Sequence, residues 1–236
     1  MPGWTNSGVL TKILGGLIVS CQAEHGSPLD SPEVLAAMAA AAEEGGATAI
    51  RANLPRNIAA IRERVTIPII GIYKKVHVGY DVYITPTFEE ARAVAEAGAD
   101  IIAIDATARP RPEGETLERL IDRIHRELRL PVMADIATLQ EAERAAELGA
   151  DLIATTLCGY TAETIDWDVP NRQLIEGIAR RVAIPLLVEG RVHTPQMARQ
   201  VREWGAQAVV VGTAITDITW VTRQYREAVK SVHQTP

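Results

Sequence analysis

Four times along this chain a helical, acidic stretch gives way to a glycine and then to an unbroken apolar run. Glu43-Glu44-Gly45-Gly46-Ala47 leads into Thr48-Ala49-Ile50, and Glu96-Ala97-Gly98-Ala99-Asp100 into Ile101-Ile102-Ala103-Ile104. Glu147-Leu148-Gly149-Ala150-Asp151 leads into Leu152-Ile153-Ala154, and Glu203-Trp204-Gly205-Ala206-Gln207 into Ala208-Val209-Val210-Val211. A glycine just past a helix takes the left-handed conformation that closes it. The runs that follow lack polar alternation, which predicts strands buried on both faces, as parallel strands are.

The same pattern predicts eight strands: Leu17–Gln22, Ala49–Ala52, Pro68–Lys74, Asp100–Thr107, Pro131–Ile136, Asp151–Thr156, Pro185–Gly190 and Ala208–Ala214. The third, fifth and seventh open on proline, which a strand tolerates at its first residue. Helical patterns lie between them. Pro32–Glu44 follows Ser31 as cap, with proline at the first helical position. Thr87–Ala97 and Thr138–Leu148 each carry a capping box, Thr87 with Glu90 and Thr138 with Glu141. Thr194–Trp204, Thr116–Leu128, Asn171–Val182, Ile218–Val232 and a short Leu54–Val65 complete the alternation. It predicts one α/β domain over residues 1–236, a single TIM (β/α)₈ barrel. Residues 1–16, helical near Val9–Leu14, form a lid over its N-terminal end, and residues 233–236 a frayed tail.

Length agrees, since 236 residues is close to the roughly 250 of such barrels. The net charge of -6 argues against nucleic acid or an anionic membrane as partner. No apolar run approaches the ~20 residues that span a bilayer. No signal peptide pattern is visible, so a cytoplasmic protein is expected. The two cysteines, Cys21 and Cys158, read as reduced structural thiols.

Barrel chemistry sits just past the C-terminal ends of the strands. These ends supply Gln22, Arg51 and Asn53, Lys74 and Lys75, Asp105 with Arg109 and Arg111 beyond, Asp135, Thr156 with Tyr160, Glu189-Gly190-Arg191, and Gly212-Thr213. Two readings follow. Arg51, Lys74, Lys75, Arg109, Arg111 and Arg191 would form a basic rim suited to a small anionic ligand. Gly190, Arg191, Gly212 and Thr213 stand after strands seven and eight, where many barrels hold phosphate. Lys74 ends a buried strand, so its charge must be paired or removed. A salt bridge to Glu189 or Asp135, a general base and a Schiff-base amine all satisfy that. His25, His77 and His193 could reach the rim, but the second and third strands end in arginine and lysine, so no metal site is expected.

These motifs resemble the N-acetylmannosamine-6-phosphate 2-epimerase family of ribulose-phosphate-binding barrels. The resemblance runs from about Gly15 to Ala228. It is carried by Gly16–Gln22, Ile50-Arg51-Ala52-Asn53, Pro68–Lys74, Val82–Thr87, Ala134-Asp135-Ile136, Thr155–Thr161, Glu189-Gly190-Arg191 and Val211–Thr216. It implies reversible inversion at C2 of an N-acetylhexosamine 6-phosphate in sialic acid and amino sugar catabolism, without metal or organic cofactor. It implies Lys74 as base and Glu189 as its partner in proton transfer. Gln22, Arg51, Asp135, Thr156 and Tyr160 would bind and orient substrate, Gly190, Arg191, Gly212 and Thr213 would take the phosphate, and a homodimer is expected. Asp217-Ile218 stands where many members carry Arg-Pro. Arg223, Arg191 or backbone amides would then have to balance the phosphate. Outside the resemblance, a Schiff-base lyase, a metal-dependent sugar-phosphate epimerase and a non-catalytic phospho-sugar sensor remain open readings of the same residues.

Overall fold

The structure, a computed structural model, describes residues 7–231. Residues 1–6 of the expected lid and the expected tail at 233–236 lie outside them. Eight parallel strands close into a barrel in sequence order, with helices alternating outside. The strands are β1 (Leu17–Cys21), β2 (Ala49–Asn53), β3 (Ile69–Ile72), β4 (Ile101–Asp105), β5 (Val132–Asp135), β6 (Leu152–Ala154), β7 (Leu186–Glu189) and β8 (Ala208–Val211). The helices are α1 (Ser7–Ile13), α2 (Pro32–Glu44), α3 (Pro55–Arg62), α4 (Phe88–Glu96), α5 (Leu117–Arg123), α6 (Leu139–Glu147), α7 (Arg172–Arg181), α8 (Pro195–Glu203), α9 (Thr213–Thr216) and α10 (Ile218–Ser231). The expected caps are present. Ser31 and Thr194 accept from Val34 and Met197 N–H, and both capping boxes form.

The repeated phrase has a structural reason beyond its glycine. Gly98 and Gly205 take φ of +100° and +117°, where a Cβ is strained. The residue two positions on then turns back to the start of the preceding strand. Asp100 Oδ2 accepts from Ile69 N–H at 2.8 Å, Asp151 Oδ2 from Val132 N–H at 2.7 Å, and Gln207 Oε1 from Leu186 N–H at 2.8 Å. Each of these N–H groups follows the proline that opens its strand. The N-terminal mouth is thus stitched by side chains where the proline supplies no donor. Ile13 of α1 is fully buried there, packed with the barrel interior residues Ile18, Ala49, Ile70, Ile101, Leu152, Leu187 and Ala208.

Most predicted strands run one or two residues past the ladder. Ile136 and Leu157 are fully buried outside any strand, so apolarity there marks the packed base of a βα loop. The eighth strand stops three residues short of Ala214 because Thr213 and Ala214 begin α9. The predicted helix Thr116–Leu128 is α5 followed by a π-type turn over Ile124–Leu128, ended by Arg129 at φ 58°. A short 3₁₀ turn over Pro112–Gly114 was not expected.

Gly71 shows how closely helix and strand meet. A Cβ there would lie 2.3 Å from Val94 Cγ1 and 2.7 Å from Ala99 Cβ. Gly71→Ala should therefore cost about 1–3 kcal/mol by overpacking. Urea unfolding should show a lower midpoint at unchanged slope, and an unchanged midpoint would show that α4 can move aside.

Candidate active site

The residues past β1, β2, β3, β6, β7 and β8 enclose a cavity of about 940 Å³ at the C-terminal mouth. Gln22, Arg51, Lys74, Thr156, Tyr160, Glu189, Gly190, Arg191, Gly212 and Thr213 all line it. Asp135 does not. It is fully buried beneath Arg51 and holds that residue from below, a place from which it cannot touch a substrate.

Arg51 is the centre of the mouth and is only 1% exposed. Its Nη1 and Nη2 donate to Asp135 Oδ1 at 3.0 Å and Oδ2 at 2.6 Å, the paired geometry that guanidinium and carboxylate favour. Nη1 also stands 2.9 Å from Glu189 Oε2. Thr156 Oγ1 lies 2.7 Å from Asp135 Oδ1 and 3.0 Å from Glu189 Oε2. Thr155 Oγ1 accepts from Glu189 N–H and donates to its carbonyl, which fixes the end of β7 against the end of β6. The terminal nitrogens of Arg51 are therefore engaged by carboxylates, and its Nε has no partner among the described residues.

Lys74 is held by its backbone. Its N–H donates to Asn53 Oδ1 at 2.8 Å, and it pairs antiparallel with Ile84. Thr85 receives Tyr73 N–H on its hydroxyl, and Lys75 N–H bonds Tyr83 O. The ammonium itself forms no salt bridge among the described residues, since the carboxylates that could pair with it are joined to Arg51. The side chain reaches the open cavity, yet protein surrounds it on the other sides. Desolvation, then the Arg51 charge, lower its pKa from the ordinary lysine value, against raising effects from Glu189 and Asp135. Glu189 moves the other way. Desolvation raises it most and Asp135 adds to that, while Arg51, the Thr156 hydrogen bond and Lys74 pull it down.

The expected basic rim is smaller than its sequence suggests. Of six residues only Arg51, Lys74 and Arg191 line this cavity. Lys75 alternates to the other side of its extended segment and pairs with Glu90 at 2.7 Å. Arg109 folds back on Asp105 at 2.7 Å. The Arg109-Pro110-Arg111-Pro112 segment turns away, and both arginines line a second cavity of about 490 Å³. Arg111 there donates to Pro86 O at 3.2 Å.

At the far side of the main cavity, Arg191 stacks over the Tyr160 ring at 5.7 Å, and His193 contacts the Trp220 ring at 4.6 Å. Burial and Arg191 lower the His193 pKa. Asp217 Oδ1 accepts from Trp220 N–H at 2.8 Å, so this carboxylate caps α10. Gln22 Nε2 donates to Ser20 Oγ at 2.7 Å, and its Oε1 is unpartnered. Burial pushes the Cys21 thiol up to about 12 and Cys158 up to about 11, which keeps both protonated at neutral pH. His25 and His193 line the cavity and His77 does not. Among the described residues, no group of three or more His, Cys, Asp or Glu could hold a metal ion.

Sequence reasoning named Asn53 at a strand end without giving it a role, and passed over Tyr83 and Ser20 as individual site residues. Tyr83 lies on the cavity wall with a raised pKa, chiefly through burial. Its signal was present, since it sits in the Val82–Thr87 motif that runs back alongside Lys74.

Comparison with known proteins places the chain in one family. A family model described as "Putative N-acetylmannosamine-6-phosphate epimerase" matches residues 35–231. A relative from Thermosynechococcus vestitus, named as a "Putative N-acetylmannosamine-6-phosphate 2-epimerase", is 52% identical over 221 residues, covering 94% of this chain and 96% of its own length. A relative of the same name from Cutibacterium acnes is 46% identical over 232 residues, with 98% and 100% covered. The solved structure of N-acetylmannosamine-6-phosphate 2-epimerase from Clostridium perfringens superposes with a TM-score of 0.90 at 40% identity, covering 93% of this chain and 95% of that one. Thiamine phosphate pyrophosphorylase from Pyrococcus furiosus shares the fold, with a TM-score of 0.59 at 19% identity. The chain belongs to the N-acetylmannosamine-6-phosphate epimerase family.

Proposed function

We propose that this protein is an isomerase that interconverts N-acetylmannosamine 6-phosphate and N-acetylglucosamine 6-phosphate, in the catabolism of sialic acid and other amino sugars. The observation that carries the reading is an amine without a salt bridge, Lys74, facing a cavity beside a carboxyl, Glu189, with their pKa values displaced toward each other. A lysine moved down and a glutamate moved up are each brought nearer the pH at which they can exchange protons with a substrate.

Carbon 2 of the open-chain sugar lies next to the aldehyde. Lys74 breaks the C2–H bond by taking the proton. The electron pair passes into the carbonyl, giving an enolate, and a proton returned to the opposite face of C2 inverts the centre. Glu189 is the partner in this transfer. Arg51 places a fixed positive charge beside the developing oxyanion. Gln22 and Tyr160 orient the sugar, Thr156 acts on it through the Glu189 carboxyl that it bonds, and Arg191 with the Gly190 and Gly212-Thr213 backbone receives the phosphate, with Arg223 on the same wall. The route requires only groups of the chain, and no cofactor is proposed.

The place of action is the cytoplasm, because a sugar phosphate does not cross a bilayer unaided. No helix among the described residues is long and apolar enough to cross a membrane. The working form is a homodimer. Ile218, Tyr225 and Val229 of α10 are 58%, 72% and 68% exposed and fall on one face at helical spacing. A second copy would cover that stripe.

In heavy water, turnover should place deuterium at C2 of the product, read by NMR. Lys74→Ala should lower kcat about 10²–10⁴-fold with the fold intact by circular dichroism. Product free of deuterium, or full activity in the variant, refutes the mechanism. The competent form carries a neutral amine and a neutral carboxyl, so the pH profile of kcat/KM should be bell-shaped, with its acid limb above the ordinary glutamate pKa and its alkaline limb below the ordinary lysine pKa. An acid limb at the usual carboxylate pKa would contradict this assignment. Sedimentation should give twice the 25.6 kDa chain mass, reduced to the monomer by Tyr225→Glu. A monomeric wild type removes the dimer.

A further inference from the structure

We propose that Thr156 is a positioning residue whose single hydroxyl hydrogen follows the charge of Glu189. It is donated to Asp135 while Glu189 is a neutral acid, and to Glu189 once that proton has left. The proposal rests on the epimerase reading for its place in turnover, but its geometry does not.

Arg51 Nη2 donates to Asp135 Oδ2 and Nη1 to Asp135 Oδ1, while Nη1 stands 2.9 Å from Glu189 Oε2 as an ion pair. Thr156 Oγ1 stands within hydrogen-bond distance of both carboxylates, at 2.7 Å from Asp135 Oδ1 and 3.0 Å from Glu189 Oε2. A hydroxyl has one hydrogen to give and two lone pairs to accept with. With both carboxylates ionised, one of these contacts sets oxygen lone pairs against each other in a buried place. With a proton on Glu189 Oε2, both contacts are filled. Thr156 donates to Asp135 at the shorter distance and accepts from Glu189.

Charge leads to the same state. Asp135 is fully buried, Arg51 is 1% exposed and the Glu189 side chain is 14% exposed. One guanidinium balances one carboxylate, so the buried cluster is neutral when Glu189 holds its proton. The groups facing Glu189 are Arg51 from β2, Lys74 after β3, Asp135 from β5 and Thr156 after β6. When Glu189 gives its proton to C2 in turnover, or to water in a titration of the free protein, the Thr156 hydroxyl rotates to Oε2 and makes a charge-assisted bond to the new carboxylate. Asp135 keeps both bonds from Arg51. Glu189 thus cycles between acid and base with no buried carboxylate left without a donor. The Thr155 bonds to the Glu189 backbone hold this spacing through both states.

The test is a pH titration of substrate-free protein by infrared difference spectroscopy. It reads the protonated-carboxyl band, assigned to Glu189 by its loss in Glu189→Gln. Thr156→Val keeps the shape and removes the hydroxyl, so the band should persist about one pH unit higher than in wild type. Thr156→Ser, which restores the hydroxyl, should titrate like wild type. In turnover, Thr156→Val should lose about tenfold in kcat with little change in KM, and the limb of the pH profile that reports Glu189 should move up with the band. A wild type without the band, a folded Thr156→Val titrating like wild type, or a Thr156→Ser behaving like the valine variant overturns the proposal. If the bands behave as stated and the wild type fails to epimerise, the epimerase reading falls and the role of Thr156 stands.

Discussion

The Arg51 guanidinium, closed between Asp135 and Glu189 at the barrel mouth, is the contact around which the cavity is organised. Removing one partner of such a buried group strands a charge and costs about 3–5 kcal/mol. The trio is also unbalanced, with one cation for two carboxyl groups. Desolvation raises Glu189 most and the Asp135 charge adds to it, while Arg51 pulls it down. Desolvation and then the Arg51 charge act on Lys74 in the opposite direction, making the amine easier to deprotonate. Removal from water thus moves a base down and a nearby acid up, and the buried cation strengthens the first shift and limits the second. Neither shift needs a ligand, because the geometry is present before any substrate arrives.

The backbone around these groups is held under strain. Leu54, Thr85 and Arg191 have φ of 74°, 45° and 52°, a region that suits glycine, and each costs on the order of 1–3 kcal/mol. Leu54 follows Asn53, which receives Lys74 N–H. Thr85 receives Tyr73 N–H, and Arg191 stands two residues after Glu189. The N-terminal mouth contrasts with this. There Asp100, Asp151 and Gln207 repeat one hydrogen bond to the start of the preceding strand. Aspartate at one mouth of this barrel closes the ladder, and at the other it holds Arg51. Position along the strand decides which.

The eight strands were legible because burial on both faces removes alternation, a signal that needs no partner information. Their ends were less so, since Ile136 and Leu157 are buried without joining the ladder. Arg51, Lys74 and Glu189 were legible for a related reason: a charged residue closing an apolar run must meet a special environment. The direction of a side chain was not written in the same way. Lys74 and Lys75 are adjacent, yet one faces the cavity and the other Glu90. Asp135 carries the right chemistry at the right strand end, but only packing shows that Arg51 covers it. Tyr83 carries no charge and ends no strand, so its place depended on the return of the chain beside Lys74.

Asp217 illustrates how a substitution that looks adverse in sequence can be absorbed locally. A carboxylate where many family members carry arginine would oppose a phosphate across open space. Here its Oδ1 accepts from Trp220 N–H at 2.8 Å, in the first turn of α10. A carboxylate at a helix N-terminus meets the positive end of the peptide dipoles, so much of its field is taken up there. The same bond starts α10 so that Trp220 contacts His193 and Arg223 reaches the cavity wall. Arg191 approaches from β7, steadied over Tyr160. The residue that removes one cation therefore fixes the helix that delivers another, and the positive character of that end is redistributed between β7 and α10.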